Sequence, residues 1–423
     1  MQPSNGPATP SPTASDLGRA WTSRPMHRRW LRGKAEALLT QFQHSSIDPA
    51  GGFYDLDIAG QPRRESGLRE LVTTTRVTHC FAIAHLLGWP GADTLVRHGL
   101  AALWDMHRDQ IHGGYAWQAG PGADGSKQAY GHAFVLLAAS SARMAGFAEA
   151  ERILADVTEV LNTRFWEAHH GATAEEFSPS WQPISGYRGQ NANMHLTEAL
   201  MAAYEATGER TYLDKAQSIA DLVINRLARA HHWHVIEHFN QDWQPDLDYR
   251  GSDMFRPQGT TPGHALEWSR LVAQLHVLSG ETSTWMQAAS DGLFRQAVTD
   301  GWDTRDGGFY YTLDYANAPL IRDRLWWPCC EGAAAAAFLG ARRGGDAFYE
   351  SWYRRIWGWI SQNLADPVHG GWYPELDDSL HPRPRFFTGK PDIYHLLQSF
   401  LIPLYAAEGS LGEMVRRAAR QEA

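Results

Sequence analysis

Cysteine is scarce in this chain of 423 residues, which has only Cys80, Cys329 and Cys330. Their number and spacing suit neither a disulfide framework nor a zinc site, so we expect a reducing, cytoplasmic setting. No apolar run is long enough to span a bilayer. Residues 1–18 lack the apolar stretch of a signal peptide. These absences predict a cytoplasmic protein with no membrane partner.

Positive charge is also scarce, since 38 Lys and Arg face 47 Asp and Glu and the net charge is −9. Without a basic block, nucleic acid is not an expected partner. Tryptophan, by contrast, is abundant, with 18 residues. Tryptophan packs cores and also stacks on the apolar faces of sugars, so the excess favours a carbohydrate-sized pocket.

A short loop recurs six times at intervals of about 60 residues, with one longer gap between the fourth and fifth copies. Each copy has a Gly-Gly or His-His turn signal followed by alternating aromatic and polar residues, which is typical of a hairpin-like loop. The copies begin near residues 48, 109, 169, 231, 305 and 366. Between them, segments such as "TRVTHCFAIAHLLG" have helical periodicity, and each interval has room for two helices.

A repeat of this length with two helices predicts an array of helical hairpins. Six hairpins can close into an all-α (α/α)6 barrel with short β-hairpin loops on one rim, and an open α-solenoid is the alternative. We expect residues 1–20 to be a disordered N-terminal tail, 21–410 a single barrel domain and 411–423 a C-terminal tail.

Three predicted helices begin with a proline followed by titratable residues, in "TTPGHALEW", "WWPCCEG" and "GKPDIYHLL". Proline is favoured at the first helical position, where its missing N–H costs nothing. If these are inner helices of the barrel, their N-termini share one rim. The positive end of a helix dipole disfavours an imidazolium, so histidines there tend to stay neutral and can act as bases. The residues concerned are His264, Glu267, Glu331, Asp392 and His395.

His264 and Glu267 share a helical face, which leaves three interpretations open. They could be half of a metal site, an acid/base pair, or a core histidine with a charged neighbour. No H-x-x-x-H motif or carboxylate cluster completes a coordination set nearby, so no metal is expected. Complementary polar groups occur in other segments, at Arg76, Tyr130, Asn191 and His195.

The chain resembles the N-acylglucosamine 2-epimerase superfamily over about residues 25–405. Seven ordered segments carry the resemblance: "TTTRVTHCFAIAHLLG", "HGGYAW", "KQAYGHAF", "YRGQNANMHLTEA", "FRPQGTTPGHALEWSRL", "RLWWPCCEG" and "KPDIYHLLQ". They are most similar to the aldose–ketose isomerase branch, which holds mannose isomerases and sulfoquinovose isomerases. The resemblance implies an (α/α)6 barrel that interconverts sugars at C1 and C2 without a metal or other cofactor.

The resemblance also implies roles for individual residues. His395 matches the principal catalytic base, His264 the second histidine, and Glu267 the carboxylate that accompanies His264. Arg76 and His195 match residues that hold the oxygens near the reacting carbons. Tyr130, Asn191, Trp327 and Glu331 match further pocket positions.

Two positions favour one branch of the superfamily. In sulfoquinovose isomerases we expect arginine at the position of Met254 and glutamine at that of Pro391. Fewer polar donors suit a neutral hydroxymethyl group better than a sulfonate. We therefore expect interconversion of D-mannose and D-fructose, with D-lyxose and D-xylulose as a further pair, in a monomer or homodimer.

The alternatives are sulfoquinovose isomerase or a sugar 2-epimerase, in which two opposed histidines would move the C2 proton between faces. A glycoside hydrolase would need two carboxylates flanking a cleft, whereas histidines hold the best positions here. A non-catalytic sugar-binding toroid would not need converging acid/base groups.

Overall fold

The structure is a computed structural model that describes residues 20–422. This part of the chain forms thirteen α-helices. They are α1 Pro25–Ser45, α2 Leu71–Leu86, α3 Ala92–Ala102, α4 Ala129–Met144, α5 Ala150–Val160, α6 Gln190–Thr207, α7 Arg210–Ala220, α8 Pro262–Leu278, α9 Thr284–Asp300, α10 Trp326–Arg342, α11 Ala347–Asn363, α12 Ile393–Leu401 and α13 Leu411–Glu422. Wider π-helical turns extend α3, α5 and α7 through Leu103–His107, Leu161–Phe165 and Asp221–Ala228.

Short strands connect the helices at one end of the molecule. Each has two or three residues: β1 Arg69–Glu70, β2 Gln118–Ala119, β3 Lys127–Gln128, β4 Trp166–Glu167, β5 Ala172–Thr173, β6 Glu176–Phe177, β7 Arg188–Gly189, β8 His238–Phe239, β9 Thr312–Leu313, β10 Pro319–Ile321, β11 Arg324–Leu325 and β12 Glu375–Leu376. Such short strands form no extended sheet, because every ladder joins only two of them.

Six inner helices form a ring, and six outer helices surround it. The inner helices are α2, α4, α6, α8, α10 and α12, and each packs against its neighbours in the ring. Residues 262–275 of α8 and 326–339 of α10 are buried without interruption, as expected for helices enclosed on every side. The predicted (α/α)6 barrel is confirmed.

The ring closes by joining the two ends of the chain. Each of α2, α4, α6, α8 and α10 pairs with the outer helix that follows it, whereas α12 pairs with α1, the first helix of the chain. The sixth hairpin is therefore made of segments more than 300 residues apart. The open solenoid is wrong for this chain, because α12 also packs against α2.

A two-residue ladder or an isolated bridge precedes each inner helix and ties it to the following repeat. The ladders are β1–β2, β3–β6, β7–β8 and β11–β12, and the bridges are Thr260↔Leu313 and Asp57↔Gly389. The last bridge joins the sixth repeat to the first. The aromatic loops thus contain the predicted hairpins and also pairings between repeats, which local patterns do not predict.

Five repeats also contain an ion pair between the loop and a basic residue two or three positions before an inner helix. The pairs are Asp48–Arg69, Asp109–Lys127, Glu167–Arg188, Asp303–Arg324 and Asp366–Lys390. The corresponding position before α8 is the uncharged Thr260. The fourth repeat is thus the exception, and its longer loop covers part of the cavity described below.

The three proline-led helices begin in different ways. Pro262 is the first residue of α8, as expected, whereas Pro328 is the third residue of α10 and Pro391 precedes Asp392, the N-cap of α12. All three positions tolerate proline because the first N–H groups of a helix have no intrahelical acceptor.

The C-terminal segment is not a tail. Its helix α13 packs against α2, α4 and α6 and buries Leu411, Met414 and Val415. Ser410 donates its backbone N–H to Glu205 near the end of α6. Because α13 lies at the C-terminal ends of the inner helices, it covers the far end of the ring. The predicted N-terminal tail, apart from residue 20, lies outside the described residues.

Among the described residues, no helix combines the length and hydropathy needed to cross a bilayer. The three cysteines are free thiols, and all are buried.

Candidate active site

A cavity of about 470 Å³ opens where the N-termini of the inner helices meet, a size typical of small-molecule sites. Of the predicted site residues, all but Glu331 line it: Arg76, Tyr130, Asn191, His195, His264, Glu267, Trp327 and His395. These side chains come from all six inner helices, so the closed ring is what brings them together.

His395 is held from behind by a buried carboxylate. Its Nδ1 lies 2.8 Å from Glu331 Oε1, and Glu331 Oε2 accepts a hydrogen bond of 2.8 Å from Arg270. Burial alone would raise the pKa of Glu331, but Arg270 and His395 outweigh it and lower the pKa to about 2. An ionised carboxylate only accepts hydrogen bonds, so Nδ1 of His395 carries the proton. Nε2 is therefore the basic nitrogen that remains for the cavity.

His264 has the same arrangement, with a carboxylate from a different part of the chain. Its Nδ1 lies 2.9 Å from Glu237 Oε2. Glu237 also accepts hydrogen bonds from Gln190 Nε2 at 2.6 Å and from the backbone N–H of Thr261. Trp268 Nε1 donates to Gln190 Oε1 at 2.6 Å, which fixes the orientation of the amide. Burial would raise the pKa of Glu237, but His264 lowers it overall.

The predicted pairing of His264 with Glu267 is not the one observed, because Glu237 is the carboxylate bonded to His264. Glu267 lies one turn further along α8 and faces His195, with 3.7 Å between its Oε1 and His195 Nδ1. Neither oxygen of Glu267 has a hydrogen-bond partner among residues 20–422. Burial, together with the neighbouring Glu331, raises the pKa of Glu267 well above 4.5.

The facing His195 also favours its neutral form. Burial, followed by the charges of Arg76 and His395, lowers the pKa of His195 well below 6.5. Both pKa shifts favour the neutral forms, which weakens any ion pair between His195 and Glu267. Each has a buried polar atom without a hydrogen-bond partner in the described structure, Nδ1 in His195 and both carboxyl oxygens in Glu267.

Arg76 is oriented by two other helices, α4 and α12. It donates a hydrogen bond of 2.8 Å to Tyr130 Oη, and its NH1 lies 3.5 Å from Asp392, the residue that caps α12. Its guanidinium carbon lies 4.5 Å from the ring centre of Phe134 and 5.0 Å from that of Tyr394. These contacts hold one cation at a defined position in the cavity.

Trp327 contacts both candidate acid/base histidines. Its ring centre lies 5.0 Å from that of His264 and 5.8 Å from that of His395. On another side Phe255 approaches Trp117 and Tyr130, with ring centres 6.1 Å and 6.4 Å apart. Aromatic faces of this kind suit the apolar faces of a sugar ring.

Two groups of buried side chains could supply metal ligands on distance alone, His195–Glu198–Glu267 and Glu267–Glu331–His395. Arg270 occupies the space that these carboxylates share, at 2.8 Å from Glu331 and 3.9 Å from both Glu198 and Glu267. A divalent ion would have to compete with this fixed cation and with the hydrogen bond to His395. The donor set therefore fits a guanidinium better than a metal ion.

Two other histidines near the cavity have structural roles. His132 accepts the backbone N–H of Tyr115, and burial lowers its pKa to about 4. His79 bonds Ser141 Oγ at 2.7 Å, and burial lowers its pKa to about 3. Neither lines the cavity.

Sequence reasoning missed Glu237 and Arg270. Glu237 stands in the loop "HVIEHF", where no helical periodicity relates it to His264. Arg270 lies on α8 one turn after Glu267, within the segment "ALEWSRL". Because residues three apart share a helical face, this spacing could have predicted that Arg270 lies beside Glu267.

Comparison with known proteins agrees with this site. The profile of the N-acylglucosamine 2-epimerase (GlcNAc 2-epimerase) family matches residues 51–399. The D-mannose isomerase of Thermobifida fusca is 42% identical over 400 residues, 92% of this chain and 97% of that protein. The D-mannose isomerase of Pseudomonas cannabina pv. alisalensis is 42% identical over 404 residues, 93% of this chain and 96% of that protein.

A crystal structure of a D-mannose isomerase matches with a TM-score of 0.83 at 32% identity, over 90% of this chain and 99% of that chain. The chain belongs to the N-acylglucosamine 2-epimerase family. The prediction of an aldose–ketose isomerase is confirmed by these relatives, which match nearly the whole chain.

Proposed function

We propose that this enzyme interconverts D-mannose and D-fructose, with D-lyxose and D-xylulose as a second pair, through a cis-enediol intermediate. The supporting observation is a pair of histidines, His264 and His395, each bonded through Nδ1 to a buried carboxylate and each in contact with Trp327. Residues 20–422 contain no hydrogen-bond partner for Nε2 of either ring, so both nitrogens are available to a sugar.

The first step is opening of the pyranose ring. Nε2 of His264 takes the proton from O1 and then gives a proton to O5, which breaks the C1–O5 bond and frees the aldehyde. Glu237 holds His264 in the required tautomer and stabilises the imidazolium that forms between the two transfers. Glu267, which the sequence placed in this role, is proposed to act with His195 on the substrate oxygens instead.

The second step is proton transfer between carbons. Nε2 of His395 removes the proton from C2 and returns it to C1 on the same face, while a proton moves from O2 to O1. Because a sugar C–H is a weak acid, the developing enediolate needs stabilisation. Arg76 and His195 supply it at O1 and O2, and Asn191, whose buried Oδ1 has no partner among the described residues, accepts a substrate hydroxyl.

One further feature supports a neutral sugar as substrate. Met254 lines the cavity where a sulfoquinovose isomerase is expected to have arginine, whereas Pro391 lies outside the lining and does not bear on the substrate. We propose that no metal is needed, because Arg270 already provides the fixed positive charge beneath the catalytic groups.

Isotope labelling tests the proposed reaction directly. Incubation of D-mannose with the enzyme in D2O containing EDTA, followed by NMR, is expected to give fructose, which carries deuterium at C1 in those turnovers in which the proton on His395 exchanges with solvent before it is returned. Glucose labelled at C2 would identify a 2-epimerase, and loss of turnover in EDTA that a divalent metal restores would overturn the metal-free mechanism.

His395→Ala is expected to lower kcat for mannose isomerisation by about a hundredfold or more, because general base catalysis contributes about 10²–10⁴-fold. Steady-state kinetics with mannose measure this. His132→Ala is a poor control because that ring is structural, so the exposed His112→Ala serves instead and should keep wild-type kcat. Activity of His395→Ala within tenfold of wild type would contradict the assignment.

We further propose a cytoplasmic enzyme that works as a monomer or homodimer on free monosaccharides. The three free thiols suit a reducing compartment.

A further inference from the structure

The cavity extends beyond the histidines toward the start of α2, where a carboxylate has no assigned role. Asp55 lines this outer part, and its side chain is exposed. Thr73 donates a hydrogen bond to its Oδ1, whereas Oδ2 has no donor within the described part of the chain. A carboxylate oxygen with a free lone pair is a strong acceptor for a sugar hydroxyl.

Asp55 is held in place by its surroundings. Its carbonyl accepts the backbone N–H of Arg63 at 2.8 Å, at the base of the turn closed by the bridge Leu56↔Pro62. The next bridge, Asp57↔Gly389, fixes this turn to the segment that precedes α12. A side chain anchored in this way can select a substrate, because little conformational freedom is lost when it binds.

The spacing of residues on helix α2 indicates where Asp55 lies relative to the reacting end of the sugar. Thr73 and Arg76 are three residues apart and lie on one face, so Thr73 is roughly 5 Å nearer the mouth. Arg76 is proposed above to contact the oxygens at C1 and C2. A single sugar ring directed outward from Arg76 therefore brings its far end, with the C4 and C6 hydroxyls, toward Asp55.

The basic side chains near Asp55 bond to other groups. Arg63 donates to the carbonyl and Oγ1 of Thr388 at 2.7 Å and 3.0 Å, and Lys390 pairs with Asp366 at 2.6 Å. The one other carboxylate at the start of α2, Glu70, accepts a hydrogen bond from Gln118 at 2.7 Å. Asp55 is thus the acceptor best placed for a ligand in this part of the cavity.

We propose that Asp55 is a specificity-determining residue, which accepts a hydrogen bond from a hydroxyl at the C4–C6 end of a neutral aldose. The proposal rests on the isomerase function proposed above. Asp55 makes this bond equally in the bound sugar and in the transition state, so it contributes to binding and takes no part in proton transfer.

Asp55→Asn is expected to raise KM for D-mannose by about tenfold or more, with kcat within about twofold of wild type. If the bonded hydroxyl is the one at C4, Asp55→Asn should not affect KM for 4-deoxy-D-mannose. If it is the one at C6, Asp55→Asn should not affect KM for 6-deoxy-D-mannose. Glu65→Gln removes the same charge from an exposed position on the same loop and should change neither constant. Thr73→Val, which frees Asp55 from its anchor, should show the same pattern more weakly and serves if Asp55→Asn does not fold.

The proposal is overturned if Asp55→Asn changes kcat/KM for mannose less than twofold, or if it affects mannose and both deoxy sugars equally. Wild-type turnover of mannose tests the isomerase function separately. If the wild type isomerises no aldose, isothermal titration calorimetry with D-mannose still decides the role of Asp55, because binding alone should weaken in Asp55→Asn.

Discussion

At the scale of single residues, the site is built from pairs in which a carboxylate bonded to Nδ1 selects the tautomer of a histidine. Glu331 does this for His395, and Glu237 does it for His264. Both carboxylates have a lowered pKa, so both remain ionised around neutral pH. Glu267, without such a partner, is pushed toward its neutral form. The pKa values of carboxyl groups in one site thus shift in opposite directions because their neighbours differ.

Glu237→Gln is expected to lower kcat for mannose by about tenfold to a hundredfold, because the amide can present its N–H toward His264 and select the wrong tautomer. Steady-state kinetics measure the change, and circular dichroism checks the fold. The exposed Glu209→Gln should leave kcat unchanged. Wild-type kcat in Glu237→Gln would show that His264 does not depend on this partner.

At the scale of elements, the loop and the start of each inner helix are joined by a ladder or bridge, and in five repeats also by an ion pair. Lys127 is fully buried, and its ammonium lies 2.8 Å from Asp109. The fourth repeat has no such pair before α8, and its loop instead supplies Glu237 and the cavity residues Met254 and Phe255. The ion pair is therefore absent from the fourth repeat, whose loop contributes most to the site.

Asp109→Asn is expected to destabilise the protein by about 3 kcal/mol at pH 7, because it leaves a buried ammonium without a counter-charge. Burial would raise the pKa of Asp109, but Lys127 and the N–H groups of its turn lower it to about 2. The carboxylate therefore stabilises the fold above about pH 3.8, and this contribution is lost as the pH falls toward 2.

Urea unfolding at pH 7 and at pH 3 measures this change. The difference between wild type and Asp109→Asn should shrink at the lower pH. Asp214→Asn breaks the exposed pair Arg210–Asp214, in which both side chains are 58% exposed, and should cost less than about 1 kcal/mol. Equal costs for the two variants would show that burial of the pair does not matter.

At the scale of the whole molecule, closure of the ring packs the first helix of the chain against the last inner helix. The helix α1 packs against α12, which carries His395. The aromatic residues Trp30, Trp357 and Phe400 continue this contact, with ring centres 5.2 Å and 5.9 Å apart in succession. We therefore expect the stability of the N-terminal helix and the position of His395 to be coupled.

Leu31→Ala, at a fully buried position in α1, is expected to destabilise the whole protein by about 2–5 kcal/mol. If residues 21–410 are a single domain, unfolding remains one transition, with the same midpoint by circular dichroism and by loss of activity. Separate midpoints would show that the N-terminal part unfolds independently. Met26→Ala, at an exposed position in the same helix, should leave the midpoint unchanged.

Eight residues of the cavity lining were predicted, because each of them stands in a local helical pattern close to the start of an inner helix. The lining residues contributed by loops, such as Asp55 and Phe255, were not predicted. His264 and His395 are both the third residue of their helices, so helix geometry alone places them at the rim. The partner of His264 was predicted wrongly, because the nearest carboxylate along the helix is Glu267 whereas the nearest in space is Glu237. Distances between segments that are remote in the chain are not encoded in local periodicity.

The sequence by itself determined the sixfold repeat, the inner and outer helices and the residue types gathered at one rim, since these depend on periodicity and on proline and glycine at turns. The tertiary structure decided which carboxylate orients which histidine, that Arg270 takes the space between three carboxylates, and that α13 covers the far end of the ring. These outcomes depend on closure of the ring, which brings α1 against α12 and sets contacts across the cavity that no single repeat contains.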